Sequence, residues 1–248
     1  MSSAFPEQLG TALRDWWREQ SLARGAWGAG VQLIRELWEF SRDSTPERRR
    51  SRYGDMEYDW EHRVDTTSGT VGWRERLLGH FHTAYQPTDP AAFREMMAEL
   101  PIDYREFTFV DIGSGKGRVL LMAAEYPFRK ILGVEILPAL HRIAEDNVRS
   151  YKSPAQRCFE IASLCADAQE FEIPKQALVL YLFNPIPEAA VRTLMSRVKQ
   201  SLTLWPRPVW IVYHNPLLEH ALAETITVSR EAAGAGYVIL RVLPSATE

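Results

Sequence analysis

The chain has 248 residues, of which 46% are hydrophobic, 25% charged and 11% aromatic; this excludes a disordered or fibrous protein and predicts one large domain, or a domain with a cap. Its 29 Lys and Arg against 32 Asp and Glu leave a formal charge of -3 and a pI near 6.1, so there is no general attraction to nucleic acid or an anionic membrane, and any such binding must be local. Cys158 and Cys165, the only cysteines, exclude a disulfide framework or a Cys-rich zinc site and fit a reducing, cytoplasmic compartment. Met1 to Gly10 lacks the pattern of a signal peptide, and no apolar run approaches the roughly 20 residues of a bilayer span, so the chain is read as soluble.

Residues 1–100 read as an N-terminal helical cap and 101–248 as the core domain. Six of the eight tryptophans (Trp16, Trp17, Trp27, Trp38, Trp60 and Trp73) lie in the first part, whereas the second holds the compact apolar runs. Two helices are predicted in the cap, Pro6 to Ala23 and Trp27 to Ser41; in the latter Trp27, Val31, Ile34 and Trp38 recur at helical spacing. That stripe reads as a face packed on its own domain rather than a membrane or partner surface, because Gln32, Arg35, Glu36 and Glu39 opposite it carry no basic bias. The run from Arg42 to Arg52 sets five arginines against two acids and reads as an exposed linker, since no aromatic residues interleave to stack on bases. Tyr53 to Gly72 has no period, yet it carries Tyr, Trp, Asp and Thr in the manner of segments that line sites.

From Glu106 onward apolar strands alternate with helical patterns. Strands are predicted at FTFVDIG, KILGVEI, CFEIASLCAD, ALVLYLF and PVWIVYH, with helices at Lys116 to Glu125, Pro138 to Tyr151 and Pro187 to Leu202. Such alternation means an α/β fold with a parallel sheet covered on both faces. The tail breaks this alternation. ETITVSRE and YVILRVL, joined by AAGAG with no helix between them, read as a hairpin that adds an antiparallel strand at the sheet's edge.

The most informative segment is Val110-Asp111-Ile112-Gly113-Ser114-Gly115-Lys116-Gly117-Arg118, where a strand hands over to a helix. Its alternate glycines let the backbone turn tightly and approach a ligand. A phosphate-binding P-loop fails, because Val110 stands in the place of its first glycine and Gly117 follows the lysine. A dinucleotide loop fits weakly, its third glycine arriving one residue early.

The order acid-x-Gly-x-Gly-x-Gly resembles motif I of the class I S-adenosylmethionine (SAM) dependent methyltransferases. The resemblance implies a Rossmann-like seven-stranded, mostly parallel sheet in the order 3-2-1-4-5-7-6 with strand 7 antiparallel, and SAM as cofactor with S-adenosylhomocysteine as product. It further implies that Asp111 faces the amino-acid part of SAM and that Gly113, Ser114, Gly115 and Gly117 form the floor. Glu135, at the end of the second strand, would hold the ribose, as suits a carboxylate facing two adjacent hydroxyls, with Ile136 beside it. Asp167 and Ala168 would lie near the adenine, and Asn184, in Phe183-Asn184-Pro185-Ile186-Pro187, beside the transferable methyl. Tyr85-Gln86-Pro87-Thr88 further resembles the Tyr-x-Pro-Thr segment of the seven-strand, non-SET protein lysine methyltransferases, which places Tyr85 and Thr88 over the cofactor.

Methyl transfer from a sulfonium is a direct displacement, so positioning supplies most of the catalysis. A lysine acceptor, with a free pKa of roughly 10.4, must first lose its proton, which a dry pocket beside a cation favours. Asn184 is the first candidate for orienting the acceptor, and Tyr213 the second. Tyr181, His214 and Asn215 end neighbouring strands at the same place, although packing or a local hydrogen bond is the leading reading for His214. The run Asn-Pro-Ile-Pro half-resembles the Asn-Pro-Pro-aromatic motif of adenine and glutamine methyltransferases, but its departures count against base methylation. His80 and His82 are spaced for no metal site. Tyr58 and Trp60 could wall a methylated amine, with plain packing the leading reading. The expected activity is methyl transfer to a protein or peptide amine, most simply lysine, or to a small molecule, with no metal, strong nucleic-acid signal or membrane span. A nicotinamide-dependent oxidoreductase and a non-catalytic SAM-binding module are less favoured functions for the same loop.

Overall fold

The computed structural model describes residues 4–43, 56–67, 87–183 and 187–243. Two compact units divide the chain, residues 1–57 with 67–86, and residues 58–66 with 87–248. The division differs from the sequence boundary at residue 100 because two segments before it, 58–66 and the helix at 90–98, belong to the larger unit.

In the smaller unit, α1 (Ala4–Asp43) is two helices joined at Gly25, whose φ of 71° and ψ of 164° are not helical. Glycine adopts that conformation without a Cβ penalty, so the break falls where the two predicted helices meet. Trp27, Val31, Ile34 and Trp38 are exposed, Trp27 to 88%.

The larger unit takes α2 (Met56–His62) from Tyr58 onward and then α3 (Pro90–Ala98). Asp89 caps α3 by accepting from the Ala91 and Ala92 amides at 2.9 Å, and Phe93, Met96 and Met97 bury one face. The remaining order is β1 (Phe107–Ile112), α4 (Arg118–Ala123), β2 (Lys130–Glu135), α5 (Pro138–Ser150), β3 (Ile161–Cys165), β4 (Ala177–Phe183), α6 (Glu188–Leu204), β5 (Val209–His214), α7 (Glu219–Thr225), β6 (Val228–Gly234) and β7 (Tyr237–Val242). The seven strands run β3-β2-β1-β4-β5-β7-β6, parallel except for β7, which pairs antiparallel with both β5 and β6. This is the predicted order.

The central strands are buried on both faces, which is why their apolar residues run continuously rather than alternate. Phe109, Val179, Tyr181 and Val212 pack on one face with Phe93 of α3 and Leu120 of α4. Val110, Ile112, Leu180 and Tyr213 pack on the other with Val191 and Leu194 of α6. Three local expectations change. The third strand is shorter than CFEIASLCAD, covering Ile161–Cys165 alone. Glu224 and Thr225 end the unpredicted helix α7 instead of opening a strand. Ala232 to Gly234 continue β6, leaving the hairpin turn at Ala235 and Gly236, the latter at φ 83°.

Candidate functional site

β1 and β2 deliver the glycine loop and its acid to one end of the sheet. Gly113, Gly115 and Gly117 have φ of 75°, 54° and 83°, values at which any other residue is strained. The Gly113 and Ser114 amides both donate to the Val134 carbonyl, at 2.8 and 3.1 Å, so the loop is pinned to β2 as it leaves β1. Gly133 of β2 lies opposite Asp111; a Cβ there would stand 2.6 Å from Ser114 Oγ. The close approach of loop to strand thus depends on Gly133, a requirement that the motif at Asp111 does not reveal.

Glu135 is the second anchor. Its Oε2 accepts from the Gly115 amide at 2.8 Å and its Oε1 from the Leu137 amide at 2.8 Å, tying the loop to the start of α5. The residue is only 5% exposed. Burial raises its pKa, while the backbone donors of Leu137, Gly115 and Ile136 oppose the rise. Asp111, also buried, has its pKa raised by burial and then by the charge of Glu135. Two carboxyl groups that resist ionisation therefore flank the loop.

The loop's own cations turn away from these acids. Lys116 is wholly buried, its Nζ 2.7 Å from Asp65 Oδ1. Arg118 Nε donates to Thr66 Oγ1 at 2.7 Å, and its Nη2 to Asp59 Oδ1 at 3.3 Å. Thr66 closes the set by bonding Asp59 through its amide, at 2.8 Å, and through its hydroxyl. Asn147 of α5 accepts from the Asp65 amide at 2.8 Å and donates to the Asp65 and Lys116 carbonyls at 2.8 and 2.9 Å. The segment 58–66 is thus strapped to the back of the loop. Asp59 and Asp65 lie within the irregular stretch expected to line a site, but pairing between positions so distant in sequence has no periodic signature.

The remaining candidates divide. Thr88 is buried, its Oγ1 3.0 Å from the Tyr181 hydroxyl, which lies 2.9 Å from His214 Nδ1. This brings Thr88, Tyr181 and His214 together on the Asp111 side of the sheet, since Tyr181 pairs with Asp111 and His214 with Phe183. Tyr213 is corrected: strand alternation sends its side chain to the opposite face, where it is fully buried and its hydroxyl accepts from the Leu218 amide at 3.2 Å. Ile136 is 57% exposed beside Glu135. Asp167 Oδ1 accepts from the Gln169 amide at 2.8 Å, a local turn, and Ala168 is buried in the core. Tyr58 is packed, with the Arg118 guanidinium 5.0 Å from its ring centroid and the His62 ring stacked at 4.2 Å. Trp60 is exposed. Tyr85, Asn184, His80 and His82 lie outside the described residues. Among the described residues no group of three or more His, Cys, Asp or Glu is placed to hold a metal, and no helix is long and apolar enough to cross a membrane.

Comparison with known proteins matches residues 80–175 to the family described as histone methylation protein DOT1. No curated protein matches the chain significantly. Similar solved structures include a SAM-dependent methyltransferase of Leishmania major (TM-score 0.44, 10% identity, 62% of this chain and 70% of that one). Others are a ribosomal protein L11 methylase of Lactobacillus delbrueckii (0.43, 17%, 62% and 76%) and an RNA methyltransferase of Salinibacter ruber in complex with S-adenosylhomocysteine (0.43, 18%, 66% and 97%). The fold itself is stated directly by the strand order. A sheet of that order, closed at its edge by an antiparallel hairpin and carrying an acid-flanked glycine loop after β1, is a Rossmann-like fold with the strand order expected from the sequence.

Proposed function

We propose that the chain is a SAM-dependent methyltransferase acting on a protein amine, most simply the ε-amine of lysine. One observation carries the reading: Asp111 and Glu135 flank the glycine loop as buried acids, while Lys116 and Arg118 are committed to Asp65 and Asp59. Such a site suits a cationic ligand, whose charge relieves the two carboxyl groups, and disfavours the anionic pyrophosphate of a dinucleotide. The residues fit SAM in detail. Both oxygens of Glu135 accept backbone N–H groups, and the carboxylate has further acceptor capacity for the ribose hydroxyls. Exposed Ile136 offers an apolar surface to the adenine, Thr88 and Asp111 attend the amino-acid end, and Asn184 orients the acceptor.

When bound, the cofactor supplies an electrophilic methyl group on a cationic sulfur. The chain's own task is to align the acceptor and to keep its nitrogen unprotonated, for which burial beside a cation is sufficient. The lysine acceptor is supported by Tyr85-Gln86-Pro87-Thr88 and by the match of residues 80–175 to a histone methylation family.

The test is parallel calorimetric titration with SAM, S-adenosylhomocysteine and NAD, followed by methyl labelling of a lysate separated into protein and small-molecule fractions. Saturable binding of the first two and label in acid-stable protein amines are the expected results. Binding of NAD alone would overturn the proposal, and label confined to small molecules would replace the acceptor. Glu135→Ala should weaken SAM binding by about 2–3 kcal/mol, the order of a charge-assisted hydrogen-bond pair.

A further inference from the structure

The buried face of α5 carries a polar residue where helical spacing calls for an apolar one, and the proposed function assigns it no role. Leu140, Ala144 and Asn147 are the buried residues of that helix, and Asn147 is only 4% exposed. A buried side-chain amide is costly unless its donors and acceptor are paired. Here they are. Oδ1 accepts from the Asp65 amide at 2.8 Å, while Nδ2 donates to the Asp65 carbonyl at 2.8 Å and to the Lys116 carbonyl at 2.9 Å. Since Lys116 Nζ lies 2.7 Å from Asp65 Oδ1, Asn147 and Asp65 together grip Lys116 by its backbone and by its side chain.

The peptide held in this way joins Lys116 to Gly117, between two glycines at φ 54° and 83°, and glycine offers little steric resistance to rotation of such a peptide. Rotation would carry the Lys116 carbonyl and the Gly117 N–H round together. That N–H donates to the Ser114 carbonyl at 2.8 Å and closes the turn, while the Gly115 amide just before it donates to Glu135 at 2.8 Å. Helix α5 meets the loop at the same point, since a Cβ on Gly117 would lie 3.2 Å from Ala144 Cβ. The orientation of one peptide, set by Asn147, is thus linked to the shape of the turn and to its tie with Glu135.

Resting on the methyltransferase reading, we propose that Asn147 is a positioning residue for the cofactor: by fixing the Lys116–Gly117 peptide it holds the glycine loop in its binding form before the ligand arrives. Asp65 is the fixed point against which it does so. Asn147 acts through the loop backbone and carries no charge, so its removal weakens SAM and S-adenosylhomocysteine by the same factor, set by the fraction of loops left in the binding form. A residue that served the fold alone would lower stability and leave the affinity of the folded protein unchanged.

The test measures calorimetric affinities for SAM and S-adenosylhomocysteine alongside thermal stability, in the wild type, Asn147→Ala and Asn147→Leu, the last keeping most of the side-chain volume. Both variants should bind both ligands about tenfold more weakly. NMR of the Gly115 and Gly117 amides should show signals displaced or broadened in the free variants and restored to the wild-type positions by saturating S-adenosylhomocysteine. The wild type supplies a check that needs no variant: the Asn147 side-chain amide protons should exchange slowly in the free protein and keep their shifts when S-adenosylhomocysteine binds. Folded variants with wild-type affinity, a loss confined to one of the two ligands, or fast exchange of those protons in the wild type overturns the positioning role. Failure of the wild type to bind either ligand overturns the methyltransferase reading, and the positioning role with it.

Discussion

Removing Asp65 tests whether the segment 58–66 holds the glycine loop. Lys116 is 0% exposed at its side chain and Asp65 44%, with 2.7 Å between Nζ and Oδ1. Deleting one partner of a buried charge costs up to roughly 3–5 kcal/mol. Because Asp65 is half-solvated, water entering the vacated space recovers part of this, so Asp65→Ala is expected to cost about 2–3 kcal/mol at pH 7. Asp65→Asn, which keeps an acceptor, should cost less. Burial already lowers the pKa of Lys116, with Asp65 the chief opposing influence. Without Asp65 that pKa falls further, so the unfolded chain binds the extra proton over a wider range below the ordinary lysine value. Stability then rises with pH across that range, and the Asp65→Ala penalty must shrink between pH 7 and pH 9.5. Urea denaturation at the two pH values, with hydrogen exchange of β1 and β2 amides as the readout of the larger unit, measures both effects. A loss below about 0.5 kcal/mol at pH 7, the range of ordinary surface changes, or a penalty that grows with pH, would refute the reasoning.

Gly117→Ala should destabilise by about 2 kcal/mol, since φ is 83° and the new Cβ would lie 3.2 Å from Ala144 Cβ; an unchanged denaturation midpoint would show that the loop can relax. Tyr213→Phe should cost about 1 kcal/mol through the lost hydrogen bond to Leu218, leaving methyl transfer intact; loss of transfer at unchanged stability would return Tyr213 to the site. Asp111→Asn should weaken SAM binding and stabilise the free protein at neutral pH. The raised pKa of Asp111 makes the folded state bind its proton more tightly than the unfolded one, so stability falls as pH rises through it. Thermal melts against pH, with and without SAM, decide this, and a variant whose profile matches the wild type would contradict it.

Much of the larger unit was legible because its signals are local. FTFVDIG, KILGVEI, ALVLYLF and PVWIVYH are continuous apolar runs that only a doubly covered sheet can bury, and the strand order then followed from the resemblance of the loop beginning at Asp111. Gly25 broke α1 between the two predicted helices for the equally local reason of backbone freedom. Where the signal was ambiguous the boundaries moved. AAGAG has the composition of a loop, yet three of its residues pair with β7, because cross-strand partners outweigh weak intrinsic preference.

The sequence by itself determined the alternation of strands and helices, the glycine loop and the acids that end β1 and β2, since each is written in residues adjacent along the chain. The tertiary structure alone decided which cations the loop keeps, how closely Gly133 lets it approach β2, and which of Tyr213 and His214 shares a face with Asp111. Those are matters of pairing between residues distant in the chain, 93 positions apart for Thr88 and Tyr181, and of the half-turn between successive strand residues, so no local pattern records them.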